Sequence, residues 1–353
     1  MILLYLCFVI LMFIPFPKHV NCASNEYEHY LDKDNTLPIK GFFVVFVFFA
    51  HFTQYVSLSR SILDVAFGYV HKWSGQLIVT LFLFYSGFGI YESIKTKENY
   101  MRGFIKKRFF PVWLSFAVCV SFFLIYDLIV GQEYDLPTIA FSFIGWKSVG
   151  NSTWFMFVTF VLYLLAFFVF SIIAKITQKQ SLLLVLFTIG TVLLIIALYY
   201  LKNPTWYNTV LCFPLGMWYS FYKEKINNCL AKHYWLALIG VLLLFICSYI
   251  IYLRYPLAFC VCSCIFAFLV ILITVRVRFR SPIFAFLGKH VFSIYILQRL
   301  VFLVLQDCFE NIYIFFIVSF AVTVLVATIY DKFYNLCFGV WVKRVNRKLN
   351  RKT

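Results

Sequence analysis

LPIKGFFVVFVFFAHF, residues 37–52, is an apolar run with a lysine near one end and a histidine near the other. No side chain between Lys40 and His51 is polar. A helix needs about 20 such residues to cross the hydrocarbon core of a bilayer. Runs of this kind recur along the chain, roughly at 39–56, 75–94, 109–130, 153–174, 181–200, 207–222, 234–253, 257–275, 283–305 and 312–330. Lysine, arginine, asparagine, proline and glycine fill the breaks between them. The pattern predicts an all-α, polytopic integral membrane protein with about ten core transmembrane helices.

Composition points the same way. Of 353 residues, 63% are hydrophobic and 13% charged, against about 45–50% and about 25% in soluble domains. The mean hydropathy is +0.89. Water cannot solvate such a surface, so the chain belongs in lipid. The 45 Phe and 24 Tyr suit lipid-facing helices with aromatic residues at their interfaces. Most of the 11 Cys lie inside apolar runs. Cys260, Cys262 and Cys264 spread around one helix and read as small apolar residues, so no metal site is expected.

The net charge of +17 is distributed by loop. One set of alternate loops holds Lys95, Lys97, Arg102, Lys106, Lys107 and Arg108; Lys175 and Lys179; Lys223, Lys225 and Lys232; and Arg276, Arg278, Arg280 and Lys289. The opposite loops hold little beyond Arg60, Lys72, Lys147, Lys202 and Arg254. Positive charge is retained on the cytoplasmic side, which places the first set, Lys40 and the basic tail (Lys332, Lys343, Arg344, Lys348) in the cytoplasm. Anionic lipid, with no nucleic acid, is the partner this charge implies.

The expected organisation is an N-terminal apolar segment with a short polar linker (1–38), one transmembrane domain (39–330) and a basic cytoplasmic tail (331–353). The opening MILLYLCFVILMFIPFP, residues 1–17, leaves two readings open. It forms an extra N-terminal helix, or it is a cleaved or interfacial segment, with Asn21-Cys22-Ala23-Ser24 as a passable cleavage site.

Polar groups inside hydrocarbon are costly and mark candidate sites. His51 lies eleven residues beyond Lys40, about 16 Å along a helix. Gln54 and Tyr55 follow on its face. A histidine there either acts as a general base or ties two helices together while neutral. Lys40 is either a topology-setting flank or a ligand for an anion. NYMRGFIKKRFFPVW, residues 99–113, gathers cations able to bind the phosphates of a cytoplasmic donor or of lipid. In FLFYSGFGIY, residues 82–91, Ser86, Gly87 and Gly89 allow close approach, with packing the plainer role for the glycines. FAFLGKHVFSIYILQR, residues 284–299, is a polar helix whose Arg299 either snorkels or serves a site. Asp127 is the one acid of interest near the end of a span.

In order along the chain, these segments resemble acyltransferase family 3 of the membrane O-acyltransferases. Lys40-Gly41 with His51 matches the family's basic residue and histidine eleven positions on. Phe84-Tyr85-Ser86-Gly87 matches its Ser-Gly segment. FIKKRFFP (104–111), STWFMFVTFVLY (152–163), FPLGMWYSFYKEKI (213–226) and LGKHVFSIYILQR (287–299) follow. The chain departs from the family pattern in carrying Lys40 where many members have arginine. It also has Leu37 where an Asp is frequent, only Arg108 of an Arg-x-x-Arg pair, Thr159 in place of a Glu, and Gln298 in place of a His.

The resemblance implies an O-acyltransferase in the cell's inner or plasma membrane, multi-pass, with a cytoplasmic C-terminus. It carries acyl groups, acetyl by default, from cytoplasmic acyl-CoA to a hydroxyl of an extracytoplasmic or cell-surface glycan. No bound cofactor is expected; acyl-CoA is the donor substrate, and the glycan acceptor and membrane lipids are the other partners. His51 would be the catalytic residue. Lys40, Lys106, Lys107 and Arg108 would bind acyl-CoA, with Ser86, Trp154, Tyr295, Gln298 and Arg299 around the pocket. The rival reading is a transporter or exporter of polysaccharide or lipid-linked glycan, without chemistry; a purely structural membrane partner leaves Lys40 and His51 unexplained.

Overall fold

The computed structural model describes residues 1–20, 29–58 and 61–350, with side chains at all of these except 73 and 340–350. Arg60, the Asn21-Cys22-Ala23-Ser24 stretch and the side chains of Lys343, Arg344 and Lys348 lie outside the described residues. The structure is helical nearly throughout. In lipid a helix alone satisfies its own backbone N–H and C=O groups, and these sequences offer water nothing to replace it. Eight helical stretches among the described residues are long and apolar enough to cross a membrane, and a bent pair would make nine. The chain is a multi-pass helical membrane protein.

It divides into two units. The first comprises Met1–Phe46, Ser59–Glu98 and Ile173–Lys289. Its helices are α1 (Ile2–Met12), most of α2 (Lys33–Phe52), α3 (Ile62–Ser74), α4 (Leu77–Thr96), α8 (Gln180–Leu201), α9 (Cys212–Phe221), α10 (Lys223–Arg254), α11 (Phe259–Arg276) and α12 (Pro282–Lys289). A two-residue antiparallel ladder joins β1 (Lys18–His19) to β2 (Val277–Arg278). The second unit comprises Val47–Leu58, Asn99–Ile172 and His290–Thr353. It holds the end of α2, then α5 (Phe110–Ile129), α6 (Leu136–Ser142), α7 (Trp154–Phe167), α13 (Val291–Leu305) and α14 (Ile312–Asn350).

Four features depart from a plain reading of apolar runs. The eleven-residue α1 is shorter than the about 20 residues a span requires. An extra helix, α3, precedes α4. The Ser61 side chain caps it, accepting from the Asp64 N–H at 3.2 Å, and Gly75 ends it at φ +42°, where glycine is favoured. The 207–222 run yields turns and the ten-residue α9 instead of a spanning helix. The 283–305 run breaks at His290 into α12 and α13.

Reciprocal glycine contacts hold the first unit. A Cβ on Gly87 of α4 would lie 2.0 Å from the Phe213 carbonyl oxygen on α9; one on Gly216 of α9 would lie 2.1 Å from that of Phe84 on α4. Gly41 of α2 meets the Phe284 oxygen at 1.9 Å in the same sense, and Gly288 of α12 meets that of Leu37 at 2.0 Å. Hydrocarbon provides no hydrophobic drive between helices, so close backbone packing at small residues supplies the attraction. Gly89, two residues from Gly87, would meet nothing within 4 Å.

The second unit is packed with rings. Phe48 lies 4.7 Å from Phe302, Phe49 4.4 Å from Phe316, and Phe52 4.9 Å from Phe315, centre to centre. Such pairs contribute about 0.5–1.5 kcal/mol each beyond their burial. They fix the last turns of α2 against α13 and α14.

Candidate active site

His51 occupies the last turn of α2, and its surroundings belong to the second unit. Gln298, fully buried on α13, meets the imidazole: its amide nitrogen is 2.8 Å from His51 Nδ1 and 3.2 Å from the Tyr295 carbonyl oxygen. The Tyr295 ring lies 5.9 Å from that of His51 and 5.4 Å from that of Phe155. Trp154 opens α7 immediately before Phe155. The Tyr295 hydroxyl is buried beside that of Ser152.

The amide orientation decides what the imidazole can do. As placed, the Gln298 amide donates to both neighbours, so Nδ1 accepts and the neutral ring carries its proton on Nε2. A base acting through Nε2 needs the opposite tautomer, with Nδ1–H donating to Gln298 Oε1. That oxygen is buried and makes no hydrogen bond. A half-turn of the amide would present it to Nδ1 as an acceptor, so Gln298 can hydrogen-bond either neutral tautomer of the ring, although the rotation itself moves no proton. His51 and Gln298 are therefore a hydrogen-bonded pair in which the amide can hold either tautomer of the imidazole.

Gln54 and Tyr55 follow the last residue of α2 instead of continuing it, because the chain turns at residues 53–54. Both nonetheless reach α13: Arg299 donates through Nη2 to Gln54 Oε1, and the Tyr55 hydroxyl lies beside the guanidinium.

The basic stretch takes a specific shape. Ile105–Phe109 is a π-helical turn leading into α5. Pro111 has no N–H to give the Lys107 carbonyl, so the α ladder cannot close there and the turn widens. The turn sends Lys106, Lys107 and Arg108 in different directions. Arg108 lies over the Tyr163 ring of α7, 5.5 Å from its centre; all three cations are exposed. Tyr163 closes the STWFMFVTFVLY segment, and its place under Arg108 was not legible from spacing.

Lys40 and Ser86 belong to the first unit. Lys40 is half-buried; its ammonium donates to Thr36 Oγ1 at 3.1 Å and lies 4.9 Å from the centre of the Tyr85 ring. Ser86 is half-buried on α4, next to the packing glycine Gly87. Asp127 is buried near the end of α5. Burial and that carboxylate push the hydroxyl of Tyr134, in the following loop, above its ordinary range. Beyond these, Asp331 of α14 bonds His290 Nδ1 and accepts from the Ser293 hydroxyl at the start of α13. The serine touches the carboxylate and not the imidazole, so this is no nucleophile–base pair. Among the described residues no three His, Cys, Asp or Glu side chains converge on a metal site.

A multi-pass helical protein with a histidine–glutamine pair in its spans and a basic π-turn is the class these features define. The chain belongs to acyltransferase family 3, whose acyltransferase-domain model matches residues 39–331. It is thus a membrane acyltransferase. No curated protein and no solved structure matches it.

Proposed function

We propose that the protein transfers an acyl group, acetyl by default, from cytoplasmic acyl-CoA to a hydroxyl of an extracytoplasmic or cell-surface glycan. The observation that carries the reading is the Gln298 contact to His51 Nδ1 at 2.8 Å. An imidazole used only as a tie between helices would not need a partner able to serve either tautomer. His51 takes the proton of the acceptor hydroxyl, and the oxygen attacks the thioester carbonyl. The C–S bond breaks, the ester forms, and coenzyme A leaves as thiolate, taking up a proton to end as the thiol. Arg108, with Lys106 and Lys107, pairs the donor phosphates, for which a guanidinium fork is suited. Trp154 and Tyr295 contribute to substrate contact. The basic loops set the orientation in the inner or plasma membrane, with the C-terminus cytoplasmic.

The test compares surface glycans, by mass spectrometry, from cells lacking the gene and complemented with wild type or His51→Ala. An ester-linked acyl mass that returns only with wild type, at equal protein abundance, is expected. Full acylation by the variant would remove His51 from the chemistry. Intact acylation throughout, with one glycan missing from the surface, would replace the enzyme with an exporter.

A further inference from the structure

Arg299 is a half-buried cation on α13 whose head reaches the turn that follows α2. It lies six residues before the last residue of α13, Leu305, about 9 Å along the helix. A snorkelling arginine would extend its head freely toward water. This head is held instead. Nη2 donates to Gln54, the Tyr55 hydroxyl lies alongside, and Nε is buried without a hydrogen bond. Both neighbours are neutral, and among the described residues Arg299 forms no ion pair. A guanidinium has five donors, and its neighbours occupy only part of them. A half-buried guanidinium with donors to spare and no counter-charge is suited to pairing with an anion.

Its position says which anion. Gln298, the preceding residue, bonds His51, and Gln54 follows His51 by three residues. The cation therefore stands beside the imidazole, at the same end of α2. We propose that Arg299, oriented by Gln54 and Tyr55, binds a carboxylate or phosphate on the acceptor, so that the preferred acceptor is an acidic glycan. This rests on the acyltransferase reading, in which His51 activates the acceptor hydroxyl. The planar fork matches both oxyanions bidentately, and pairing there brings a hydroxyl of the same molecule toward the imidazole.

The experiment uses the full chain purified in phosphatidylcholine nanodiscs. Thermal unfolding is followed with glucuronate, glucose 6-phosphate or glucose, for wild type, Arg299→Gln and Arg299→Lys. At several times the dissociation constant, an acidic sugar should raise the midpoint by about 2–4 °C and glucose should not. The rise should vanish in Arg299→Gln and persist in part in Arg299→Lys. No shift with either acidic sugar, or an equal shift in Arg299→Gln, overturns the proposal. If phosphatidylglycerol nanodiscs give an Arg299-dependent rise while both acidic sugars give none, the anion is a lipid headgroup and the acceptor assignment falls. Acetyl transfer from acetyl-CoA to the same sugars is measured alongside. An Arg299-dependent shift without transfer would count against the acyltransferase reading and leave the anion site standing. Transfer at equal rates to glucose and the acidic sugars, without a shift, would do the reverse.

Discussion

The two units use the family's motif residues in opposite ways. In the first, the Lys-Gly and Leu-Gly motifs contribute glycines, and Gly41, Gly87, Gly216 and Gly288 each bring a helix against the backbone of a neighbour. In the second, the motif residues are polar side chains within the spans: His51 on Gln298, Arg299 on Gln54, Arg108 over Tyr163. Motif residues matched together in sequence are thus doing separate jobs. One set fixes where helices cross; the other places charge and hydrogen bonds where lipid makes them costly. If this contrast is correct, substitutions at the packing glycines of the first unit reduce the amount of folded protein, and those at His51 and Arg108 in the second reduce the rate.

His51→Ala should show the largest effect. A positioned base contributes about 10²–10⁴-fold, so glycan acylation should fall by that factor at unchanged abundance and melting temperature. A parallel loss of protein would make His51 a packing residue and erase the contrast.

Gly216→Leu and Gly87→Leu come next. Each new side chain meets a backbone carbonyl, which cannot move aside as a flexible side chain can. Overpacking costs about 1–3 kcal/mol and occasionally more, and backbone contact belongs at the upper end. Membrane-inserted protein, measured by quantitative blotting, should fall sharply, with specific activity kept in what remains. Gly89→Ala is the control and should leave both unchanged. Equal loss at Gly89 would show that the open space there is not available.

Arg108→Gln should raise the KM for acetyl-CoA by about 10–100-fold, the range of a charged hydrogen bond. Lys106 and Lys107 are as exposed as Arg108 but are not the cation over Tyr163, so Lys106→Gln and Lys107→Gln should raise it by no more than about threefold each. Steady-state kinetics in nanodiscs separates them. An equal effect at all three would mean that the π-turn does not select Arg108.

The spans and their polar residues were legible because hydropathy and burial cost act residue by residue. His51, Gln298 and Arg299 stood out as groups lipid does not tolerate unpaired. What escaped the sequence depends on geometry between distant residues. The 207–222 run carries Asn208, Thr209, Pro214 and Ser220 among its apolar residues; α9 is short within it, and its Gly216 matches Gly87, far away in the chain. The break at His290 follows Gly288, which meets Leu37. The π-turn at 105–109 precedes Pro111, which lacks the N–H an α turn there would use, and its Arg108 lies over the distant Tyr163. Periodicity has no means of reporting such contacts.

The smallest effect sharpens the contrast most. Asp331, with His290 and Ser293, is a polar cluster in the second unit that the proposed chemistry does not use. It places a carboxylate at the first turn of α13, where the helix dipole favours negative charge by about 0.3–1 kcal/mol. Asp331→Asn keeps the shape and removes the charge, so the melting midpoint should drop by no more than about 4 °C, with acylation at the wild-type rate. A drop in rate comparable to that of His51→Ala, at unchanged midpoint, would join the start of α13 to the reaction. The working site of the second unit would then extend along α13 from Ser293 to Arg299, and the division would lie between units, not between residues within one of them.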